Sequence, residues 1–328
     1  MAASWTIHHL KLHQLLLRQP SLLPQGAELL LAVSGGQDSM ALTGLLLDLQ
    51  RLHHWRLQLW HGNHNWREES INQANTLAAW AANQGLTIHL DHWLKPQATE
   101  AAAREWRYHC LLTTAQKLGC HHVVTAHTAN DRSETLLLNL ARGSHRRGLG
   151  SPVASRPLGD GIQLVRPILH FSREDTHKIC QILALPIWLD PSNTDSRFSR
   201  NRVRNEVLPV LEQLHPGATQ RIAATAEKFA AEQESYAELI NLALKSLQEQ
   251  GEEPNCQKIK RRQLFLLTDA TRNQLLQQWL INQDQEPLTT AQINQLWPQL
   301  EISRKPNQMV LAKGRSLNWD KSHLWLSP

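Results

Sequence analysis

The sequence predicts an α/β protein: a doubly wound, Rossmann-like parallel sheet followed by a second, mainly helical domain. Three observations carry that reading. Short apolar runs alternate with longer helix-like segments; the first run opens into the glycine turn Ser34-Gly35-Gly36-Gln37-Asp38-Ser39; and the alternation stops after His215-Pro216-Gly217. At 328 residues the chain exceeds one domain of roughly 100 to 200 residues and suits two, each with its own core.

Strands are expected at 29–33, 57–60, 86–90 and 122–126, apolar runs too short for ordinary helices. Between and after them, 40–52, 68–83, 99–118 and 131–142 are long enough to act as right-handed crossovers between parallel strands. Ligands of such a sheet bind at the C-terminal strand ends. Beyond the break, 218–250 reads as one long Ala- and Glu-rich helix, with further helices at 262–282 and 290–300. Residues 308–326, with turns at Lys313-Gly314 and Asp320-Lys321, read as a closing hairpin or small sheet. The expected domains are therefore 1–215 and 216–328.

The composition, 41% hydrophobic and 19% charged without a low-complexity tract, excludes a disordered or fibrous chain. Lys and Arg outnumber Asp and Glu by 34 to 29, a net charge of +5. The excess is local: positions 142 to 204 hold eleven Lys or Arg against five Asp or Glu, and Lys258, Lys260, Arg261 and Arg262 form a second cluster. Such patches are either a footprint for nucleic acid or a solvated basic face. Cys110, Cys120, Cys180 and Cys256 stand far apart without a C-x-x-C pair, so neither a zinc site nor a disulfide framework is expected and a reducing compartment fits. No run reaches the roughly 20 apolar residues of a membrane span, and the N-terminus has no signal-like segment. The expected location is the cytoplasm.

Leu29-Leu30-Leu31-Ala32-Val33, the glycine turn and an apolar helix follow one another in the order a phosphate site requires. Gly35 and Gly36 let the backbone turn tightly and approach a ligand, while free N–H groups of the first helical turn face it at the positive end of the helix dipole. Ser34 and Ser39 add hydroxyl donors, and Asp38 offers a carboxylate to a magnesium ion that offsets phosphate charge. The glycines alone would fit a structural turn equally well. The string lacks the lysine of a Walker A loop and the third glycine of a dinucleotide fingerprint. It resembles the SGGxDS loop of the N-type ATP pyrophosphatases, an adenine nucleotide alpha-hydrolase-like family that cleaves ATP between its α and β phosphates and leaves AMP on the substrate.

Further matches follow in order: His61-Gly62-Asn63-His64 with Arg67-Glu68-Glu69-Ser70, Ala103-Arg104-Glu105-Trp106-Arg107-Tyr108, and Thr125-Ala126-His127-Thr128-Ala129-Asn130-Asp131 with Glu134-Thr135. Arg142-Gly143-Ser144, Arg166-Pro167, and Asp190-Pro191-Ser192-Asn193 with Arg200-Asn201-Arg202-Val203-Arg204 complete the set. Together they resemble the bacterial tRNA(Ile)-lysidine synthetase family over about residues 28 to 210, the helical remainder being similar only in size and position. The resemblance implies a carbon–nitrogen ligase that uses ATP and Mg2+ to join L-lysine to C2 of the wobble cytidine in a CAU-anticodon tRNA(Ile). The codon read then changes from AUG to AUA. Oxygen at C2 is a poor leaving group, so it is first adenylated and then displaced by the lysine ε-amine. A homodimer is also implied.

On this resemblance ATP contacts Ser34, Gly35, Gly36, Gln37, Asp38, Ser39, His61, Arg104 and His127. Catalysis falls to Asp38, Arg104, His127, Asp131 and Glu134, and tRNA binding to Arg142, Arg200, Arg202 and Arg204. The residues' own chemistry leaves alternatives open. His127, just past the fourth strand, suits a phosphate contact or proton transfer, or is a structural loop histidine. His61 and His64 fit nucleotide contacts, a metal-like pair or polar loop positions. Asp131 and Glu134, three apart, share a helix face suited to magnesium or to the lysine ammonium, and equally to a capping pair with Asp131 at the N-cap and Glu134 at N3. Arg104 suits the charge developing at the α-phosphate or a surface ion pair with Glu100 or Glu105. Arg200, Arg202 and Arg204 suit the tRNA backbone or a solvated charge run. Most of the 12 tryptophans, Trp80 and Trp106 among them, are expected in packing rather than base stacking.

Three departures from the family pattern stand out. Arg132 replaces a frequent Gln, Trp60 precedes the histidine motif where another apolar residue is usual, and the chain ends at Pro328 like the shorter members without an additional C-terminal domain. Two rival readings share the loop. A cytidine thiolase needs clustered cysteines for a persulfide or iron–sulfur centre, and an amidotransferase needs an ammonia source, for which Ala2 offers no nucleophile. A non-catalytic nucleotide- or RNA-binding module is a third, opposed by the intact loop together with His127 and Asp131.

Overall fold

Leu29, Leu30 and Leu31 are all buried because the first strand is covered on both faces. Leu29 and Leu31 join a core with Met40, Leu45 and Leu46, whereas Leu30 joins another with Trp60, Leu111, Val123 and Leu164. Each such side chain contributes about 1.5–3 kcal/mol of transfer free energy, and only a strand with helices on both sides reads as an unbroken apolar run. The structure is a computed structural model describing residues 5–63, 69–93, 99–144, 146–188, 198–250, 257–302, 307–311 and 314–327. Two compact units, Met1–Ala230 and Ala231–Pro328, divide the chain.

The first unit contains β1 (Glu28–Ala32), β2 (Arg56–Asn63), β3 (Thr87–His92), β4 (His122–Val124), β5 (Ser155–Gly159) and β6 (Ile162–Val165). Their order is β3-β2-β1-β4-β6-β5, parallel except for the edge strand β5, which runs antiparallel to β6. Its helices are α1 (Ile7–Arg18), α2 (Gln37–His53), α3 (Glu69–Asn83), α4 (Glu100–Leu118), α5 (Ala129–Ala141), α6 (Arg146–Leu149), α7 (Arg173–Ile182), α8 (Ser199–Arg202) and α9 (Leu208–Leu214). The doubly wound parallel sheet is thus present, with four strands where the apolar runs place them. α1, the β5–β6 hairpin and α7 are additions that the βαβ rhythm did not include.

A long helix, α10 (Ala218–Leu247), follows. The second unit adds β7 (Gln248–Gln250), β8 (Gln257–Lys260), α11 (Arg261–Leu264), α12 (Asp269–Asn282), α13 (Thr290–Ile302), β9 (Asn307–Val310), β10 (Ser316–Trp319) and β11 (His323–Ser327). Its antiparallel sheet, in the order β7-β8-β11-β10-β9, encloses a core with Leu244, Ile259, Leu275, Trp279, Leu296, Trp319 and Leu324. The expected terminal hairpin is therefore part of a five-stranded sheet. β7 and β8 escape a pattern search because they are short and polar, with Ile259 the one fully buried side chain of β8. The expected helix 262–282 is two, since Thr268 caps a new helix by accepting from Thr271 N. The division falls inside α10 rather than at 215/216, because the start of α10 packs on α5: Ser133 Oγ donates to Thr219 O at 2.6 Å, and Arg132 pairs with Glu227 at 3.4 Å.

Candidate active site

β1 and β4 are neighbours, but the chain leaves β1 toward β2 on one side and reaches β6 on the other, so a crevice opens beyond their C-terminal ends. The glycine loop lies there. Gly35 has φ +82, and a Cβ at that position would stand 2.9 Å from Trp188 Cε3, so the backbone and the indole both require glycine. Trp188 N donates to Gly35 O at 3.0 Å and fixes the turn from outside. Ser39 Oγ donates to Gly36 O at 2.8 Å and accepts from Ser34 N at 3.2 Å, while Gly36 N donates to Ser34 Oγ at 3.3 Å. Gly36 is the N-cap of α2 and brings no side chain to satisfy that helix's first N–H groups, which leaves them oriented toward an anion.

Two loop side chains face α7. Gln37 Nε2 donates to Arg173 O at 2.7 Å and to Thr176 Oγ1 at 2.8 Å, so its amide is engaged in tying the loop to α7. Thr176, fully buried, donates in turn to Asp38 Oδ1 at 2.6 Å, and Arg173 Nε stands 3.8 Å from Asp38 Oδ2. Burial pushes the Asp38 carboxyl up and the Asp131 charge adds to that, outweighing Thr176, Arg173 and Arg204, which pull it down.

The second half of the crevice is made of opposed charges. Thr128, not Asp131, is the N-cap of α5: Asp131 Oδ2 accepts from Thr128 N at 2.8 Å and from Thr128 Oγ1 at 2.9 Å. The capping expectation is therefore corrected by three positions, and it coexists with the functional one because the other oxygen, Oδ1, accepts from Arg200 Nη2 at 2.7 Å. Glu134, fully buried, accepts from Arg200 Nε at 2.7 Å and from Arg204 Nε at 2.6 Å. Arg200 and Arg204 are four apart, at the start of a helical stretch whose π-type turn covers Val203–Val207, and so share one face. Arg202 lies on the opposite face, 62% exposed, and pairs with Glu206. Burial would raise Asp131, but Arg200 and His127, with the Thr128 amide, hold it below the ordinary carboxylate value.

His127 follows β4, its Nδ1 3.0 Å from Thr125 Oγ1. Burial lowers its pKa, Arg166, Arg200 and Arg104 add to the shift, and Asp131 opposes it, so the imidazole is neutral at pH 7. His61, at the end of β2, donates from Nδ1 to Val33 O at 2.8 Å, and burial lowers it also. A neutral His61 holding that bond presents Nε2 as an acceptor. Arg104 is exposed on α4, with Cζ 5.0 Å from the centre of the Tyr108 ring, a cation–π contact.

A family model of the PP-loop domain matches residues 7–211. A tRNA(Ile)-lysidine synthase of Parasynechococcus marenigrum is 47% identical over all of this chain and 97% of that protein. The chain belongs to the tRNA(Ile)-lysidine synthase family. A second tRNA(Ile)-lysidine synthase, from Prochlorococcus marinus, is 40% identical over 98% of this chain and 96% of its own length. Among solved structures, a U34-tRNA thiolase from Methanococcus maripaludis with its [4Fe-4S] cluster shares the fold, with TM-score 0.58 and 16% identity over 68% of this chain and 77% of that one.

The structure of this lysidine synthase family member brings Asp38, His127, Asp131, Glu134, Arg200 and Arg204 into one charge-coupled group. Arg142 instead caps the end of α5 and is exposed, as is Arg202. His64, Arg67 and Asp190-Pro191-Ser192-Asn193 lie outside the described residues. Trp106 packs against Trp93 at 5.3 Å and Trp60 at 6.3 Å, in keeping with a packing role. Four residues that sequence reasoning did not assign join the site or its border: Arg173, Thr176, Tyr108 and Arg166. For α7 a signal existed, Ser172-x-x-Asp175, which forms a capping box directly ahead of Thr176. No helix among the described residues is long and apolar enough to cross a membrane.

Proposed function

We propose that the chain joins L-lysine to C2 of the wobble cytidine of a CAU-anticodon tRNA(Ile) through an adenylated RNA intermediate, releasing AMP and pyrophosphate in the cytoplasm. The observation that carries this reading is the meeting of the 34–39 loop with His127 and the Asp131–Arg200 pair at one switch point, in a chain of this family. The loop's N–H groups and the Ser34 and Ser39 hydroxyls hold the pyrophosphate portion of ATP. His61 Nε2, an acceptor, fits the exocyclic amine of adenine better than a phosphate. His127, neutral, donates to a phosphate oxygen from Nε2 when Thr125 supplies the hydrogen to Nδ1. Arg104 stabilises charge toward the α-phosphate side.

Mg2+ fits the donor set at Asp38. Magnesium is held by one or two carboxylates plus substrate phosphates, and Asp38 is a carboxylate beside an anion-binding loop whose pKa the Asp131 charge helps to raise. When bound, the ion offsets phosphate charge. Asp131, 13% exposed, is the carboxylate open to the lysine ammonium; Glu134, at 0%, positions Arg200 and Arg204. The three described cysteines are separate, with Cys110, Cys120 and Cys180 thiols raised to about 11 by burial first and by a nearby carboxylate, which suits inert packing rather than sulfur transfer. Purified protein incubated with labelled lysine, ATP, Mg2+ and CAU-anticodon tRNA(Ile) is expected to place label in RNA with one AMP formed per lysine. No label in RNA, beside an active control enzyme, overturns the reading.

A further inference from the structure

Three guanidinium groups gather around one phenol at the border of the site. Tyr108, half-buried on α4, has Arg104 Cζ 5.0 Å and Arg156 Cζ 5.1 Å from its ring centre, while the Arg166 charge acts on its hydroxyl. Burial alone would raise the phenol, yet the three arginines bring it below its ordinary value. Among the described residues none of the three pairs with a carboxylate. Arg156 Nη1 donates to Pro157 O at 3.0 Å and Arg166 Nη1 to Val153 O at 2.8 Å, both neutral acceptors. Arg166 is 2% exposed, and its buried Nε has no hydrogen-bond partner. Like charges held this close without a counter-charge repel, and a buried guanidinium with an unmet donor is costly to keep. An anion relieves both.

The position narrows which anion. Arg166 follows β6 directly, Arg156 lies on the edge strand β5, and the sheet order puts both beyond β4 on the side away from the 34–39 loop. His127 lies between, since it follows β4, the strand between β1 and β6. The triphosphate belongs to the loop. The other anion that must reach the same point is the backbone of the RNA strand, where planar guanidinium groups and an aromatic face suit a phosphodiester and its neighbouring base. We propose that Tyr108, Arg156 and Arg166, with Arg104 at their border toward the nucleotide, form a second anion site that holds a phosphodiester of the RNA strand presenting the cytidine. This rests on the lysidine reading for the identity of the RNA.

The test is a binding measurement on the full chain, so it does not depend on lysine transfer. Arg156→Ala and Arg156→Lys are compared with the parent for an anticodon stem-loop RNA with a CAU loop, across a series of salt concentrations, and for a non-hydrolysable ATP analogue. Arg156→Ala removes a half-buried group and spares buried Arg166. It is expected to weaken RNA binding roughly tenfold near 0.1 M salt and to reduce the slope of log K against log salt by about 0.7, with Arg156→Lys between and analogue affinity unchanged. Loss of analogue affinity with RNA binding intact assigns the cluster to the nucleotide and overturns the proposal, as do variants that alter neither. A parent that binds RNA with this slope yet transfers no lysine defeats the functional reading and leaves the site standing.

Discussion

The two halves of the crevice are built on opposite principles. The 34–39 loop keeps its anion-binding parts within six consecutive residues, and most of them are backbone N–H groups set by two glycines and a helix start. The facing cluster joins Asp131 and Glu134 to Arg200 and Arg204, partners 66 to 70 positions apart, entirely through side chains. A local backbone device is legible from a string of letters. A long-range charge lattice is legible only once the fold has closed.

That difference predicts unequal responses to substitution. Glu134→Ala takes the buried carboxylate from two guanidinium groups that are 24% and 15% exposed and leaves them Asp131, so about 3 kcal/mol of stability, the low end for breaking a buried pair, is expected to go, read by urea unfolding. Glu134→Gln, which keeps one acceptor oxygen near the arginines and turns the other into a donor, loses less than Glu134→Ala. A loss below about 1 kcal/mol for Glu134→Ala would mean that the arginines simply turn to solvent, and the contrast between the halves would fail.

Gly35→Ala probes the other half and is smaller in stability terms. Forcing an L side chain to φ +82 costs about 1–2 kcal/mol, and the methyl group meets Trp188. Because the loop relaxes locally, the cost is expected as about tenfold weaker ATP binding in calorimetry, with a folded second half still holding RNA. Unchanged ATP affinity would show that the loop does not present its N–H groups to the nucleotide.

How much could be read in advance follows the same division. Leu29 to Leu31 reveal a strand covered on both faces because apolar periodicity is local, and the loop and the four crossovers were placed by the same kind of signal. Arg200, Arg202 and Arg204 read as one basic run, but a helical repeat separates them: the outer two, i and i+4, turn to Glu134, and the middle one faces solvent with Glu206. That spacing was present in the letters, and what they did not contain was the carboxylate opposite. Thr176 and Arg173 are hidden because their partner Asp38 is 138 and 135 positions away, and because α7, though amphipathic, is a short and mostly polar helix in which Thr176 itself lies on the buried face with Ile179 and Cys180. β7 and β8 were hidden for the complementary reason, carrying almost no apolar residues for a pattern to find.

The last expected effect titrates the residue between the halves. His127 has a folded pKa below its ordinary 6.5, so as pH falls through 6.5 the unfolded chain takes up a proton that the folded chain refuses. Stability is therefore lost on acidification from that point, by up to about 1.4 kcal/mol per pH unit for each such histidine. His61 and His170, the latter brought to about 4 chiefly by burial, act with the same sign. Asp131 also has a lowered pKa, but as a carboxylate its contribution is present above 3.8 and disappears only as pH falls below that value; between pH 6.5 and 4 the histidines lower stability on acidification, and the Asp38 carboxyl, raised by burial, acts against them. His127→Asn removes one of them, and urea midpoints measured at pH 7.5 and 5.0 are expected to converge relative to the parent. Phosphates bound in the loop would raise His127, so saturating ATP analogue is expected to shrink the parent's slope and to leave that of His127→Asn alone. An identical slope in both proteins would place His127 in contact with solvent, outside the charge-coupled crevice that joins the loop to the arginine cluster.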